Sequence, residues 1–217
     1  LQEVRSTTYE RIKDVHRDTV SGHYAPSWRF PFSSQSTGVM TVGNRPLPEA
    51  RVERIGSPHR ELYLTSPKVS LRTDLLLGNG ETLQIVNCHS LNFVPDSVFE
   101  TQLDQIFHGL GDHSGPAIVC GDFNVWSAER LEHLTRRAEA VGLLEAEALG
   151  PNSSPAPSWL RGLKRWNGFD PEIPLDRVFT RGVEVEECRR VEGVGCSDHL
   201  PLVLKFAVPG GTSAPFH

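Results

Sequence analysis

The chain has 217 residues, 38% hydrophobic and 23% charged, a balance that suits one soluble globular domain with a sizeable core and excludes a disordered chain. Its net charge of -5 excludes the strongly basic body of a protein that coats nucleic acid, while leaving room for a local basic patch. No run is long or apolar enough to span a membrane. The four cysteines, Cys88, Cys120, Cys188 and Cys196, form no CxxC pair. Buried free thiols are the default reading, with a Cys188–Cys196 disulfide as the alternative.

Leu1 to Val4 reads as the end of a strand. Thr7 and Glu10 have the spacing of a capping box, and Ile12, Val15, His16, Thr19 and Val20 follow helical periodicity, so a first helix is expected from Thr8 to Val20. His16 belongs to a face of that helix rather than to a ligand set. Ser21 to Gln35, rich in Gly, Pro, Ser and aromatics, reads as a loop feeding a strand from Gly38 to Val42. Ala50 to Ile55 reads as an edge strand after a proline-rich stretch. Lys68–Leu77 and Glu81–His89 form a hairpin around Gly78-Asn79-Gly80, because Asn-Gly supplies the positive φ angles of a tight turn.

Ser97 and Glu100 then open a helix whose apolar face is Phe99, Leu103, Ile106, Phe107 and Leu110. A buried strand, Ala117 to Cys120, runs into Gly121-Asp122-Phe123-Asn124. Alternation puts Asp122 and Asn124 on one side of the chain and Phe123 on the other, at the strand's C-terminal edge where α/β sheets hold ligands. A carboxylate that takes a proton from water and an amide that donates to a phosphoryl oxygen would share one spot. Ser127 caps a third helix, with Leu131, Leu134, Ala138 and Val141 inward and Gly142 as its stop. Arg136 and Arg137 near its end suit the helix dipole better than contact with DNA.

From Gly150 to Pro174 the chain is loop-like, with Trp159, Trp166 and the basic trio Arg161, Lys164 and Arg165. With Trp126 these rings are candidates for the flank of a nucleic-acid groove, although such rings are core residues at least as often. Strands resume at Leu175–Thr180, Val183–Cys188 and Leu202–Val208. The domain is expected to occupy residues 1–208, with 209–217 as a flexible tail. Asp176 inside an apolar strand needs a partner, since an unpaired buried carboxylate is costly. His199, preceded by Asp198 and just before the last strand, is the obvious one: an Asp on one ring nitrogen orients the other.

These motifs, in order, are LQE at Leu1 to Glu3, NCHSLN at Asn87 to Asn92, GDFN at Gly121 to Asn124, PSW at Pro157 to Trp159, LDRVF at Leu175 to Phe179 and SDHLP at Ser197 to Pro201. Together they resemble the endonuclease/exonuclease/phosphatase superfamily of the DNase I-like fold. The segments STGVMT, HSGPAIVCGDFNVWS and SDHLPLVLKF are most similar to its bacterial YafD-type branch. The resemblance implies an α/β fold: a four-layer α/β sandwich of two mostly antiparallel sheets face to face, with outer helices. It further implies that Glu3 binds magnesium (or manganese), with Asp198 close to the metal. Asp122 would orient or deprotonate the attacking water, and Asn124 would hold a phosphate oxygen. His199, oriented by Asp176, would contact the scissile phosphate, with His89 as a second phosphate-contacting histidine that some members use as a general acid. Asn92 is implied as a further substrate contact. In the family an asparagine on an earlier strand shares the metal site; that strand, and any leader or anchor, is expected upstream of Leu1, with the cytoplasm as the working location.

The resulting expectation is a metal-dependent phosphodiester hydrolase of endonuclease or exonuclease type, acting on nucleic acid or another phosphoester, with no protein partner indicated. The acidic net charge keeps open a phosphatase or phospholipase acting on a small or lipid phosphoester. From another class, an inactive fragment or binding module is the alternative.

Overall fold

The Gly78-Asn79-Gly80 turn closes with Gly80 N donating to Leu77 O at 3.0 Å, and Gly80 alone supplies a positive φ, 85°, whereas Asn79, expected to share it, does not. In this computed structural model, which describes residues 1–16, 19–29, 32, 34–44, 52–56, 59, 67–150, 173–192 and 199–210, the turn joins β5 (Val69–Leu76) to β6 (Thr82–His89). The remaining elements are β1 (Val4–Arg5), α1 (Ser6–Val15), β2 (Ser21–Arg29), β3 (Ser36–Gly43) and β4 (Val52–Gly56) before the hairpin. After it come α2 (Asp96–Phe107), β7 (Ala117–Asp122), α3 (Ala128–Ala140), β8 (Leu144–Glu145), β9 (Asp176–Arg181), β10 (Glu184–Arg190) and β11 (Leu202–Ala207).

Six strands form the central sheet in the order β4-β5-β6-β7-β9-β8, with β6 and β7 parallel and the other pairs antiparallel. Alternation sorts its side chains onto two faces. Val86, Cys88, Ala117, Val119 and Phe179 face α2 and α3, where they meet Phe99, Leu103, Ile106, Phe107 and Leu134 in the main core. Each large apolar side chain buried there contributes roughly 1.5–3 kcal/mol. On the opposite face, Leu83, Ile118 and Val178 pack with Cys188, Leu204 and Phe206 of β10 and β11. Further along that face, Val69 and Leu71 pack with Ala25 and Val39 of β2 and β3. Tyr9 of α1 stacks on Tyr24 of β2 at 5.3 Å, on the side away from Ala25. The four layers of a DNase I-like α/β fold result, helix, sheet, sheet and helix. Among the described residues the second sheet layer is two separately bonded sheets, β1-β3-β2 and β10-β11.

Some elements differ from the sequence reading. Ser21–Arg29 is a strand, not a loop; its bonds to β3 hold it despite Gly22 and Pro26, with a bulge between Pro26 and Trp28 absorbing the irregularity. Neither proposed capping box forms. Helix α1 starts at Ser6 and ends at Val15, short of Val20, and Ser6 Oγ accepts from Ser36 N at 3.1 Å. Helix α2 starts at Asp96, whose carboxylate accepts from Arg130 at 2.8 Å. Ser127 does cap α3, accepting from Arg130 N at 3.2 Å. Arg136 pairs with Glu132 and Arg137 with Asp104, in keeping with structural roles. Cys88, Cys120 and Cys188 are free thiols. Cys196, the PSW motif, Trp166, the basic trio and residues 211–217 of the tail lie outside the described residues. No helix among the described residues is long and apolar enough to cross a membrane.

One position fixes the centre of this sheet. Gly121 has a φ of 141°, and a Cβ there would meet the Cys88 carbonyl oxygen at 2.0 Å. Gly121→Ala is therefore expected to destabilise the fold by more than about 2 kcal/mol through strain and overpacking. Urea unfolding followed by circular dichroism checks this; an unchanged midpoint contradicts the close approach.

Candidate active site

Strand register brings three polar side chains to one row. In the parallel ladder His89 stands opposite Asp122, and in the antiparallel ladder Asp122 stands opposite Asp176. All three share parity with Ile85, Ile118 and Val178, so they face the gap between the two sheet layers. Phe123 points the other way, fully buried and edge-on to Phe179 at 5.6 Å. The strand ends are tied together beyond the row by Ser90 N donating to Asp122 O at 2.9 Å and Phe123 N donating to Leu175 O at 3.0 Å.

Asp122 is only 8% exposed. Its Oδ1 accepts from Asn124 N at 2.9 Å, and its Oδ2 accepts from Asn124 Nδ2 at 3.3 Å. Asn124, at a φ of 50°, also donates through Nδ2 to Ser90 O at 2.8 Å. Both amide hydrogens are thus engaged in orienting Asp122 and the loop after β6, which differs from the phosphate-holding role the sequence suggested. Burial foremost, then the nearby Asp176 carboxylate, pushes the Asp122 carboxyl up to about 6, against the opposing pull of the Asn124 N–H, His199 and Lys68.

His89 is buried, and its Nε2 lies 2.9 Å from Lys68 Nζ and 3.6 Å from Asp122 Oδ2. An ammonium only donates, so Nε2 accepts and the ring proton is assigned to Nδ1. Burial first, then Lys68 and His199, pushes the imidazole down to about 3, so it is neutral at ordinary pH. Lys68 Nζ also reaches Glu3 Oε1 at 3.2 Å, and Glu3 Oε1 lies 3.8 Å from His89 Nε2. At the other end of the row, His199 Nδ1 bonds Asp176 Oδ2 at 2.5 Å. The Asp–His pairing read from sequence is therefore present in the geometry, and it links β9 to the segment before β11.

Glu3 is held in the left-handed region, φ 53°, by bonds on its N-terminal side. Leu1 O accepts from Met40 N at 2.9 Å, and Gln2 Nε2 donates to Asn87 Oδ1 at 3.0 Å. Asn87 Nδ2 in turn donates to Met40 O at 2.9 Å. Asn87 sits two residues before His89 on the same face of β6, so this amide fastens the β1-β3 sheet across the gap and sets Glu3 near the row. Asn92 enters through its backbone: its carbonyl accepts from Arg130 Nη1 at 3.0 Å. Arg130, fully buried in α3, also donates to Val94 O and Asp96, with its guanidinium 4.6 Å from the Phe99 ring and 4.4 Å from the Trp126 ring. It clamps the loop leaving β6. Glu3, His89, Asp122, Asn124, Asp176 and His199 are thus gathered at one edge, whereas Asp198 lies outside the described residues.

Lys68, Asn87 and Arg130 were missed in the sequence. Asn87 had a signal, its parity with His89. Arg130 had one too, at the spacing of Leu134 and Ala138 on the inward face of α3.

Residues 1–199 match the Endonuclease/Exonuclease/phosphatase family. The chain belongs to this family. Its members are phosphoesterases and nucleases. A UPF0294 protein of Vibrio vulnificus is 33% identical over 181 residues, 83% of this chain and 57% of the relative. The resemblance to the YafD-type branch stands on such relatives, of whose length the chain spans little more than half. Among solved structures, a member of the family from Leptotrichia buccalis superposes with a TM-score of 0.68 at 15% identity, covering 95% of this chain and 85% of that one. The human Nocturnin catalytic domain with bound sulfate anion gives 0.60 at 18% identity, covering 95% and 79%. At these identities the structures share the fold.

A magnesium ion takes oxygen ligands, one or two carboxylates with the rest supplied by water and phosphate oxygens. Among the described residues no three His, Cys, Asp or Glu side chains converge as a closed metal cage. The Glu3 carboxylate, 72% exposed beside the row, fits the open hydrated mode instead.

The raised Asp122 carboxyl has a stability consequence. The unfolded chain loses this proton near pH 4 and the folded one near pH 6, so ionisation of the buried group costs stability that is absent below pH 4 and complete above pH 6. In metal-free buffer with EDTA, Asp122→Asn is expected to be more stable than the wild type at pH 8, by on the order of 2 kcal/mol, and equal to it at pH 4. Denaturant unfolding at both pH values checks this; a difference independent of pH contradicts the shift.

Proposed function

We propose that the protein is a divalent-metal-dependent phosphodiester hydrolase of endonuclease or exonuclease type. The observation that carries this reading is the single row of His89, Asp122 and Asp176, closed by His199 on Asp176. Asp122 acts as the base: ionised at neutral pH yet with a raised carboxyl, it is suited to take a proton from water as the water oxygen bonds to phosphorus, the P–O bond to the ester oxygen breaks and that oxygen leaves to be protonated by solvent. Asn124 positions that carboxylate through two bonds. His199, fixed through Nδ1 by Asp176, presents Nε2 to the phosphoryl group. His89 is assigned as a neutral contact rather than a general acid, because its Nε2 carries no proton beside Lys68. Asn92 is retained as a substrate contact through the loop that Arg130 clamps.

Glu3 with Asp198 would hold magnesium or manganese. When bound, the ion neutralises charge on the nonbridging oxygens and so eases attack. Nocturnin's bound sulfate supports a tetrahedral anion as the ligand of this fold. The net charge of -5 favours, as a second reading, a phosphatase or phospholipase acting on a small or lipid phosphoester.

The test is hydrolysis of bis(p-nitrophenyl) phosphate, plasmid DNA, phosphoinositide and sphingomyelin, each with magnesium and with EDTA. Magnesium-dependent cleavage of the diester is expected, with a substrate among the other three cleaved faster. Asp176→Asn is expected to lower kcat by about 100-fold while leaving KM nearly unchanged, since it acts on the orientation of a transition-state group. Cleavage that ignores EDTA, or equal turnover in the variant, contradicts the assignment.

A further inference from the structure

Lys68 has no role in the chemistry above. It lies just before β5 and is 7% exposed, so its stem runs through the interior and delivers the ammonium to the strand ends. There it stands 2.9 Å from His89 Nε2 and 3.2 Å from Glu3 Oε1. Taking a lysine out of water is costly, and one of its partners, the Glu3 carboxylate, is 72% exposed and screened by solvent. The charge balance of the site gives the buried ammonium a use. Glu3, Asp122 and Asp176 gather carboxylates at one edge, and an incoming phosphoryl group brings further negative charge that needs donors on its nonbridging oxygens. An ammonium on a flexible stem re-aims its donors without moving the backbone. Lys68 already addresses the imidazole that neighbours Asp122.

We propose that Lys68 is a further catalytic residue, its ammonium contacting a nonbridging oxygen of the phosphoryl group under attack. This rests on the phosphoester-hydrolase reading of the site. Binding of inorganic phosphate is therefore measured alongside turnover, so that the two readings fail separately.

Isothermal titration with inorganic phosphate, with and without magnesium, and turnover of bis(p-nitrophenyl) phosphate are compared for the wild type, Lys68→Met, Lys68→Gln and Lys68→Arg. Methionine removes the charge and keeps the stem. Glutamine keeps a donor toward His89 and Glu3, which guards against loss of the fold, and thermal melting identifies the folded variants. The neutral variants are expected to bind phosphate about tenfold more weakly and to lose about 100-fold in kcat, with arginine restoring part of both. Wild-type phosphate affinity in a folded neutral variant overturns the proposal, as does a wild-type protein that binds no phosphate. A wild type that binds phosphate through Lys68 yet cleaves no ester overturns the proposed function and leaves the anion contact standing.

Discussion

The parallel pairing of β6 with β7 is the constraint on which the site depends. It sets His89 against Asp122, and the antiparallel pairing of β7 with β9 sets Asp122 against Asp176. Because side chains alternate with a period of two, a slip of one residue in either ladder would turn a member of the row into the opposite face. Two features resist such a slip. Gly121 lets β7 approach the Cys88 carbonyl more closely than any side chain permits, and the apolar residues below the row commit each strand to its facing. Parallel strands also require a long crossover, and α2 provides it while covering the far face of the sheet.

Around this row the protein accepts unfavourable groups that its apolar layers offset. A buried carboxylate, a buried lysine and a neutral histidine each lower stability relative to apolar packing, and Glu3 adds a left-handed backbone. The compensation is structural and local. Arg130 is fully buried yet bonded through its whole guanidinium, and it fixes the loop that leaves β6 at His89. Asn87 does the same across the sheet gap, where its amide reaches both Gln2 and Met40. The polar side chains nearest the chemistry are therefore held by bonds to backbone that the sheets themselves immobilise.

Much of this was legible in the sequence, for identifiable reasons. The Asn-Gly turn, the apolar stripe of α2 and the run Ala117 to Cys120 are strong local signals, and strand alternation separated Asp122 from Phe123 correctly. The Asp176–His199 bond was foreseen from the cost of a carboxylate in an apolar strand. Segment β2 was illegible because its order comes from pairing with β3, which overrides a composition of Gly, Pro and Ser. Both capping boxes failed for a related reason: tertiary partners, Ser36 for Ser6 and Arg130 for Asp96, moved the helix starts. Lys68 carried no pattern at all; a single lysine before a strand announces itself only once the chain is folded.

The proposed hydrolysis requires a phosphoryl group bound at the ends of β6, β7 and β9. Crystals grown with manganese and inorganic phosphate test it most directly, through anomalous density for the ion and tetrahedral density for the anion. The ion is expected on the Glu3 carboxylate and the phosphate within hydrogen-bond distance of His199 and beside Asp122. Phosphate and ion settling elsewhere, for instance in the cleft beside α1 lined by Ser6, Glu10 and Arg11, would contradict it.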